Sequence, residues 1–442
     1  MKTILLRILS AVLAIGLTAG HYLLIGYPTQ KVDEAGAETL SASVEPLPLS
    51  VSCPGAFVQV GGADGTELGL VERLGEALIS YQSSSEDLLL TPELGSAGAT
   101  TASVAGKEQS TALLSMIQAQ AVDQQRAIGI QASFCPQPLR EGWLANGAAV
   151  SGFESVLIAS NPNAIEALID FDVHTPAGVV SDRFALAPGE EQLFSMARYA
   201  NGETQFALFF RTNGPQVVMA MQNRQTRGLT PIGIEIENPI PKPESSQVFV
   251  GLRELTGAFD LPELRVFNPG ETATEVIVTA LDGENVELVR LQVAGKGFVA
   301  EKLNLSSNHQ LITLESEEPV LASIKAQTTD PILDFAWLNP ATRFTSLSLP
   351  LSSYNQSIVI GNPTAAPLEV TLSVQAAART SVQTFVVPAL GVTSLPASGE
   401  KLMIEAKGEF VAALEILDPA GYSVITPSEN ANLGNELSIT IR

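Results

Sequence analysis

The sequence predicts an all-β chain: tandem immunoglobulin-like β-sandwich domains behind an N-terminal transmembrane helix. Three observations carry that prediction. A segment built round Asn-Pro occurs three times, as VLIASNPNAIEALIDFDV at 156–173, LRVFNPGETATEVIVTA at 264–280 and IVIGNPTAAPLEVTLSV at 358–374. Each copy alternates in the same register. Ile169, Phe171 and Val173, then Val276, Val278 and Ala280, then Val370, Leu372 and Val374 stand 8, 10 and 12 residues after their Asn, and five of the six residues between them are polar. Alternation of period two marks a strand with one face on a core and one in water. Finally, the apolar run ILSAVLAIGLTAGHYLLIG, 8–26, follows Lys2 and Arg7.

That run is long enough as a helix, about 29 Å, to cross a bilayer. A cleaved signal peptide is the alternative, but the run is long for one and the small-x-small site Ala35-Gly36-Ala37 lies well past its end. The expectation is therefore a single-pass signal-anchor in the plasma membrane. Both cations precede the span, which places residues 1–7 in the cytoplasm and the bulk of the chain outside. Residues 27–50, polar and poor in aromatics, read as a flexible stalk.

The rest divides by the repeat. Asn161, Asn268 and Asn362 are spaced about 100 residues apart, which suits a seven-strand sandwich and exceeds any solenoid period. Proline lacks the N–H a ladder needs and pushes its predecessor towards extended geometry, so each Asn-Pro ends a strand and begins a turn. A turn glycine follows in every copy, Gly189, Gly297 and Gly391, and further short strands come after it. The expected copies occupy 141–240, 245–340 and 341–442, with the proline-rich joint ENPIPKPESS between the first two. Residues 51–140 read as a divergent β domain, because LLSMIQAQ at 113–120 resembles VVMAMQNR at 217–224 and VLASIKAQ at 320–327; a helix over 111–126 also fits. Cys53 and Cys135 bracket this region, and an isolated pair in an exported chain is most simply a disulfide. Closing so long a loop stabilises by roughly 4 kcal/mol in the chain-entropy model.

The formal net charge is −23. Such a surface repels nucleic acid and anionic lipid, and no basic aromatic stripe opposes that reading. Catalytic candidates each have a duller explanation. Ser398 and Lys401 match S-x-x-K but fall in a turn, with no K-T-G downstream. A Ser-His-Asp set would have to use His174 or His309 without a G-x-S-x-G. Asp170 and Asp172 share a strand face without a calcium-loop pattern, and Glu315, Glu317 and Glu318 read as a charged hairpin end. Two cysteines and three scattered histidines are too few for a metal site. No catalytic residue, cofactor or metal is therefore expected. Trp143 and Trp337, the only tryptophans, are the candidate ligand-facing aromatics; core packing is their plainer use.

The run CPQPLREGWLANGAAVSGFESVLIASNP, with APGEEQLF, NRQTRGLTPIG and DFAWLNP, resembles an uncharacterised family of actinobacterial membrane-anchored envelope proteins, a domain of unknown function. The resemblance implies a bacterial surface protein and supplies no activity or site residues. The combined expectation is a membrane-anchored extracellular rod of sandwich domains that binds or spaces, partnered by an envelope protein or a glycan. Wall-glycan binding is the alternative, and hydrolysis a distant third.

Overall fold

A computed structural model of the chain describes residues 48–61, 70–91, 98–104, 113–252, 261–305 and 310–428. All lie in one compact unit, residues 46–434. The expected cytoplasmic segment 1–7, anchor 8–26 and nearly all of the stalk 27–50 fall outside the described residues, as does His309. Among the described residues no helix is long and apolar enough to cross a membrane.

The described part is all-β, its one helix the four-residue turn Ala197–Ala200. In the first copy, one sheet runs in the order Gly178–Leu186, Ala167–Thr175, Phe206–Thr212, Glu141–Gly147. The facing sheet runs Glu191–Ser195, Phe153–Ser160, Val218–Arg227, Thr230–Glu237. Leu157, Met219 and Met221 from the second sheet meet Ile169, Phe171, Val173, Phe206 and Leu208 from the first in a sandwich-like core. The second and third copies repeat this order strand for strand, except that two strands fuse into one. Gln310–Thr328 pairs with Glu244–Leu252 and Thr274–Leu281 through its first half, and with Glu263–Phe267 and Asp334–Leu338 through its second. Lys401–Asp418 does the same with Arg343–Pro350 and Leu368–Ala376, then Gln356–Asn362 and Gly421–Ile425.

The register read from the repeat is the register of the fold. All nine apolar positions lie on the corresponding strand of their copy, and eight are buried. Val374 is half-buried, close to the exposed hairpin end at Ala376. Asp172, Thr279 and Ser373 lie on the other face, partly open to solvent.

The Asn of each Asn-Pro proves more than a strand end. Asn161, Asn268 and Asn362 are fully buried. In every copy Nδ2 donates to the carbonyl four residues on, 2.7 Å to Ile165, Thr272 and Ala366, and to the carbonyl of Leu186, Val293 or Val387 on the returning strand. Oδ1 accepts the N–H two residues on, from Asn163, Gly270 and Thr364. One amide thus closes the local turn and pins a strand twenty-five residues away. The turn glycines need a correction of one position. The left-handed residue is the same in all three copies, but it is Gly189 in the first and Lys296 and Leu390 in the others, where Gly297 and Gly391 come next.

The described residues within 51–140 form a β domain with the same strand order in reduced form. Leu89–Thr91, Thr100–Val104 and Leu49–Cys53 make one sheet; Leu78–Ser83, Leu114–Gln124 and Ala127–Phe134 make the other. The copies' fourth and fifth strands have no counterpart among its described residues, and 114–124 is strand, not helix. Cys53 and Cys135 are bonded, joining the first strand to the end of the last. An added hairpin, Phe57–Val60 with Val71–Leu74, lies on the first copy, packing Val58 against Val156, Ile158, Ala220 and Ile236. Gln222 grips the Val58 backbone in both directions, at 2.6 and 2.7 Å. Arg73 of the same hairpin makes a two-pronged pair with Glu191.

The domains do not extend as a rod. Their last strands, Ala127–Phe134, Thr230–Glu237, Asp334–Leu338 and Gly421–Ile425, close on one another. Ile234 packs with Val122 and Ala127; Ile232 with Phe335 and Trp337; Tyr422 and Val424 share the second copy's core; Ile130 and Ala132 share the third copy's core with Ile425. The fourth contact returns to the first domain, so the arrangement is a ring.

Candidate functional site on the ring axis

Each last strand places one residue at the centre of the ring: Gly129, Gly233, Asp334 and Gly421. The fully buried Asp334 carboxylate accepts the N–H of the residue that follows in all four strands. Oδ2 takes Ile130 and Tyr422 at 2.8 and 2.9 Å; Oδ1 takes Ile234 and Phe335 at 3.2 and 2.9 Å. The glycines are required by space. A Cβ at Gly129, Gly233 or Gly421 would stand 2.3–2.6 Å from a carboxylate oxygen of Asp334. Burial pushes the Asp334 carboxyl up, and four backbone N–H groups oppose it by favouring the anion. Burial outweighs them, and the carboxyl is held well above its usual range.

Two residues further along, Glu235 lies fully buried with Oε1 on the Ile236 N–H and both oxygens near Ser423 Oγ. Burial first, and the neighbouring Asp334 charge second, hold its carboxyl well above the usual range. Glu237, two residues on again, accepts Ala145 N–H and Asn146 Nδ2 through Oε1, at 3.1 and 2.9 Å. Burial pushes its pKa up to about 7, against those two donors and the Arg265 charge.

Beyond these carboxylates the last strands end in a funnel of about 270 Å³, walled by Pro136, Pro239, Pro340, Pro427 and Trp337 with residues from all four domains. A proline follows every last strand because the chain must leave the ladder there: Cys135-Pro136, Asn238-Pro239, Asn339-Pro340 and Thr426-Pro427. Four lining residues carry a buried oxygen that meets no hydrogen-bond partner among the described residues: Ser133 Oγ, Glu237 Oε2, Asn238 Oδ1 and Asn339 Oδ1. The amide nitrogens are engaged, Asn238 Nδ2 on the Phe134 carbonyl and Asn339 Nδ2 on that of Asn238, which fixes the orientation of both amides.

The candidates read from sequence lie elsewhere or only at the margin. Trp337 is buried, its ring beneath the Arg265 guanidinium and its edge on the funnel wall. Trp143 is half-buried between the first and second copies, against His174, Phe209 and Phe267. The two tryptophans do not share an open face. Burial holds the His174 imidazole below its usual pKa, against Asp172. Asp170 pairs with Arg183 and Asp172 accepts from Ser181 on the adjoining strand. Glu315 accepts from Ser246 at 2.8 Å, and Ser398 sits in an exposed turn. Sequence reasoning missed Asp334, Glu235 and Glu237. The available signal was the doubled Ile-Gly-Ile at 128–130 and 232–234, whose glycines make room for a side chain from another domain.

A family of unknown function, DUF5719, matches residues 91–398, more than half of the chain. The chain belongs to the DUF5719 family. In this DUF5719 protein the matched span holds all three Asn clamps, Asp334 and the two glutamates. No curated protein matches the sequence.

Proposed function

We propose that this DUF5719 protein is a non-enzymatic cell-surface module of the bacterial envelope, a scaffold or adhesion protein held in the plasma membrane by residues 8–26, with its immunoglobulin-like domains outside. The observation that carries the reading is the ring. Four domains spend a buried carboxylate and three obligatory glycines on fixing one mutual arrangement, and all four contribute to one funnel. Rigid presentation of a composite surface lowers the entropy cost of binding, whereas a spacer gains nothing from closure. Wall-glycan binding is the second reading, favoured by a funnel that carries Trp337 together with the hydroxyl residues Thr342, Thr426 and Ser428.

The test has two parts. Protease added to intact protoplasts should digest everything after residue 26; a protected chain would contradict the surface location. The full-length chain in detergent should bind isolated envelopes saturably. Loss of binding after protease treatment of the envelopes identifies a protein partner, loss after wall-hydrolase treatment a glycan, and absence of saturable binding overturns the proposal.

A further inference from the structure

We propose that the free edge of the third copy's sheet, the strand Arg379–Val387, pairs antiparallel with the same strand of a second copy of this chain, so that two molecules share one continuous sheet. The contact goes beyond the envelope reading and does not depend on it. In each copy the strand at this place, Gly178–Leu186, Asn285–Val293 or Arg379–Val387, is the outermost of its sheet and is bonded on one side only. A free edge offers N–H and C=O groups to any other strand, and charges or bulges are what keep other strands off.

Two of the three edges carry such guards. In the first, Arg183 pairs with Asp170, and Asp182 beside it accepts the Tyr199 hydroxyl at 2.8 Å. The second holds Glu287 and Arg290, paired at 2.9 Å, and its ladder breaks register between Val278 and Thr279. The third has neither. Its ladder runs unbroken from Leu368 with Val387 to Ala376 with Arg379, and TSVQTFVV, 380–387, contains no charge. Val382 and Val386 are 64 % and 58 % exposed there.

That strand is complementary to its own copy. Ala376 and Arg379 flank a two-residue turn, so Thr380, Val382, Thr384 and Val386 turn their backbone N–H and C=O to the free edge. Antiparallel pairing about a two-fold axis at Gln383 sets Val382 against Thr384 and Thr380 against Val386, pairs that suit a pleated surface. Pro388, without an N–H, lies just past the last pair, Arg379 with Val387. The two Arg379 side chains stand at opposite ends, about 27 Å apart. A net charge of −23 repels a second copy wherever charges face, and this edge is neutral. Nine residues make a small interface, so the association belongs to the weak class, with Kd between about 1 µM and 1 mM.

Sedimentation equilibrium of the full-length chain in density-matched detergent should show monomer and dimer, the dimer tightening as salt screens the repulsion between two acidic chains. Val382→Lys and Val382→Glu should each weaken it at least tenfold, because the two copies of residue 382 lie diagonally across the axis, about 7 Å apart. An equimolar mixture of those two variants should restore it. The parent has no free thiol. Gln383→Cys should therefore cross-link two chains on mild oxidation, since residues opposed at that position lie about 4.5 Å apart. Ser381→Cys should not, its two copies being about 14 Å apart. All three positions are exposed, so the variants should melt like the parent. A monomer at every concentration up to about 1 mM, association unchanged in Val382→Lys, no recovery in the mixture, or equal cross-linking of Ser381→Cys would each overturn the assignment.

Discussion

Asp334 shows how one side chain can set the relation of four domains. Its two oxygens accept N–H groups from residues as far apart in sequence as Ile130 and Tyr422. Asp334→Asn keeps the shape but turns an NH₂ group towards two of the four donors. The expected cost is about 3 kcal/mol, measured as a drop in the midpoint of chemical unfolding. Gly233→Ala should cost about as much by another route. Its Cβ would meet Asp334 Oδ1 at 2.3 Å, and the backbone there has φ +152°, which other residues rarely adopt. Glu237 makes stability depend on pH. Its folded pKa of about 7 lies above the ordinary value of 4.5, so between those values the folded chain holds a proton that the unfolded chain releases. Its contribution is therefore fully present below about pH 4.5 and lost as pH rises to about 7, a change of about 3 kcal/mol. Unfolding free energies measured from pH 4 to 8 should show that fall in the parent, and a shallower one in Glu237→Gln.

At the scale of the element, the strand that follows each Asn-Pro was legible because its register is local. Period-two alternation names the buried face without knowledge of any neighbour, and Ile169, Val278 and Leu372 lie where it puts them. Phe171→Asp or Val278→Asp would bury an unpaired charge and should cost several kcal/mol in thermal unfolding, while Asp172→Ser on the open face should change stability by less than about 0.5 kcal/mol. The Asn itself was read only through its proline. Its bond to the returning strand spans twenty-five residues and leaves no pattern of its own, although three copies keep the spacing. Asn268→Ala removes the donor to Thr272 and Val293 and the acceptor for Gly270, and should cost about 2 kcal/mol. Asn268→Asp should recover little, since a carboxylate cannot donate to those carbonyls.

The whole molecule is where sequence said least. A repeat announces domains, and from domains with separate cores a rod with independent melting follows naturally. Closure depends on pairs such as Ile130 with Ile425 and Gly129 with Asp334, between residues hundreds of positions apart with no shared periodicity. A glycine in a strand reads equally as a bulge, and a single Asp before Phe-Ala-Trp reads as a strand edge. The funnel was hidden for the same reason, since each domain supplies only a fragment of it. The central claim is that the four domains form one body locked at Asp334, and calorimetry of the full-length chain tests it most directly. The account predicts one cooperative transition for residues 46–434, with calorimetric and van't Hoff enthalpies in agreement, moving as a unit to lower temperature in Asp334→Asn. Separate transitions in the parent, or an Asp334→Asn variant in which one domain melts early and the others keep their temperatures, would contradict it.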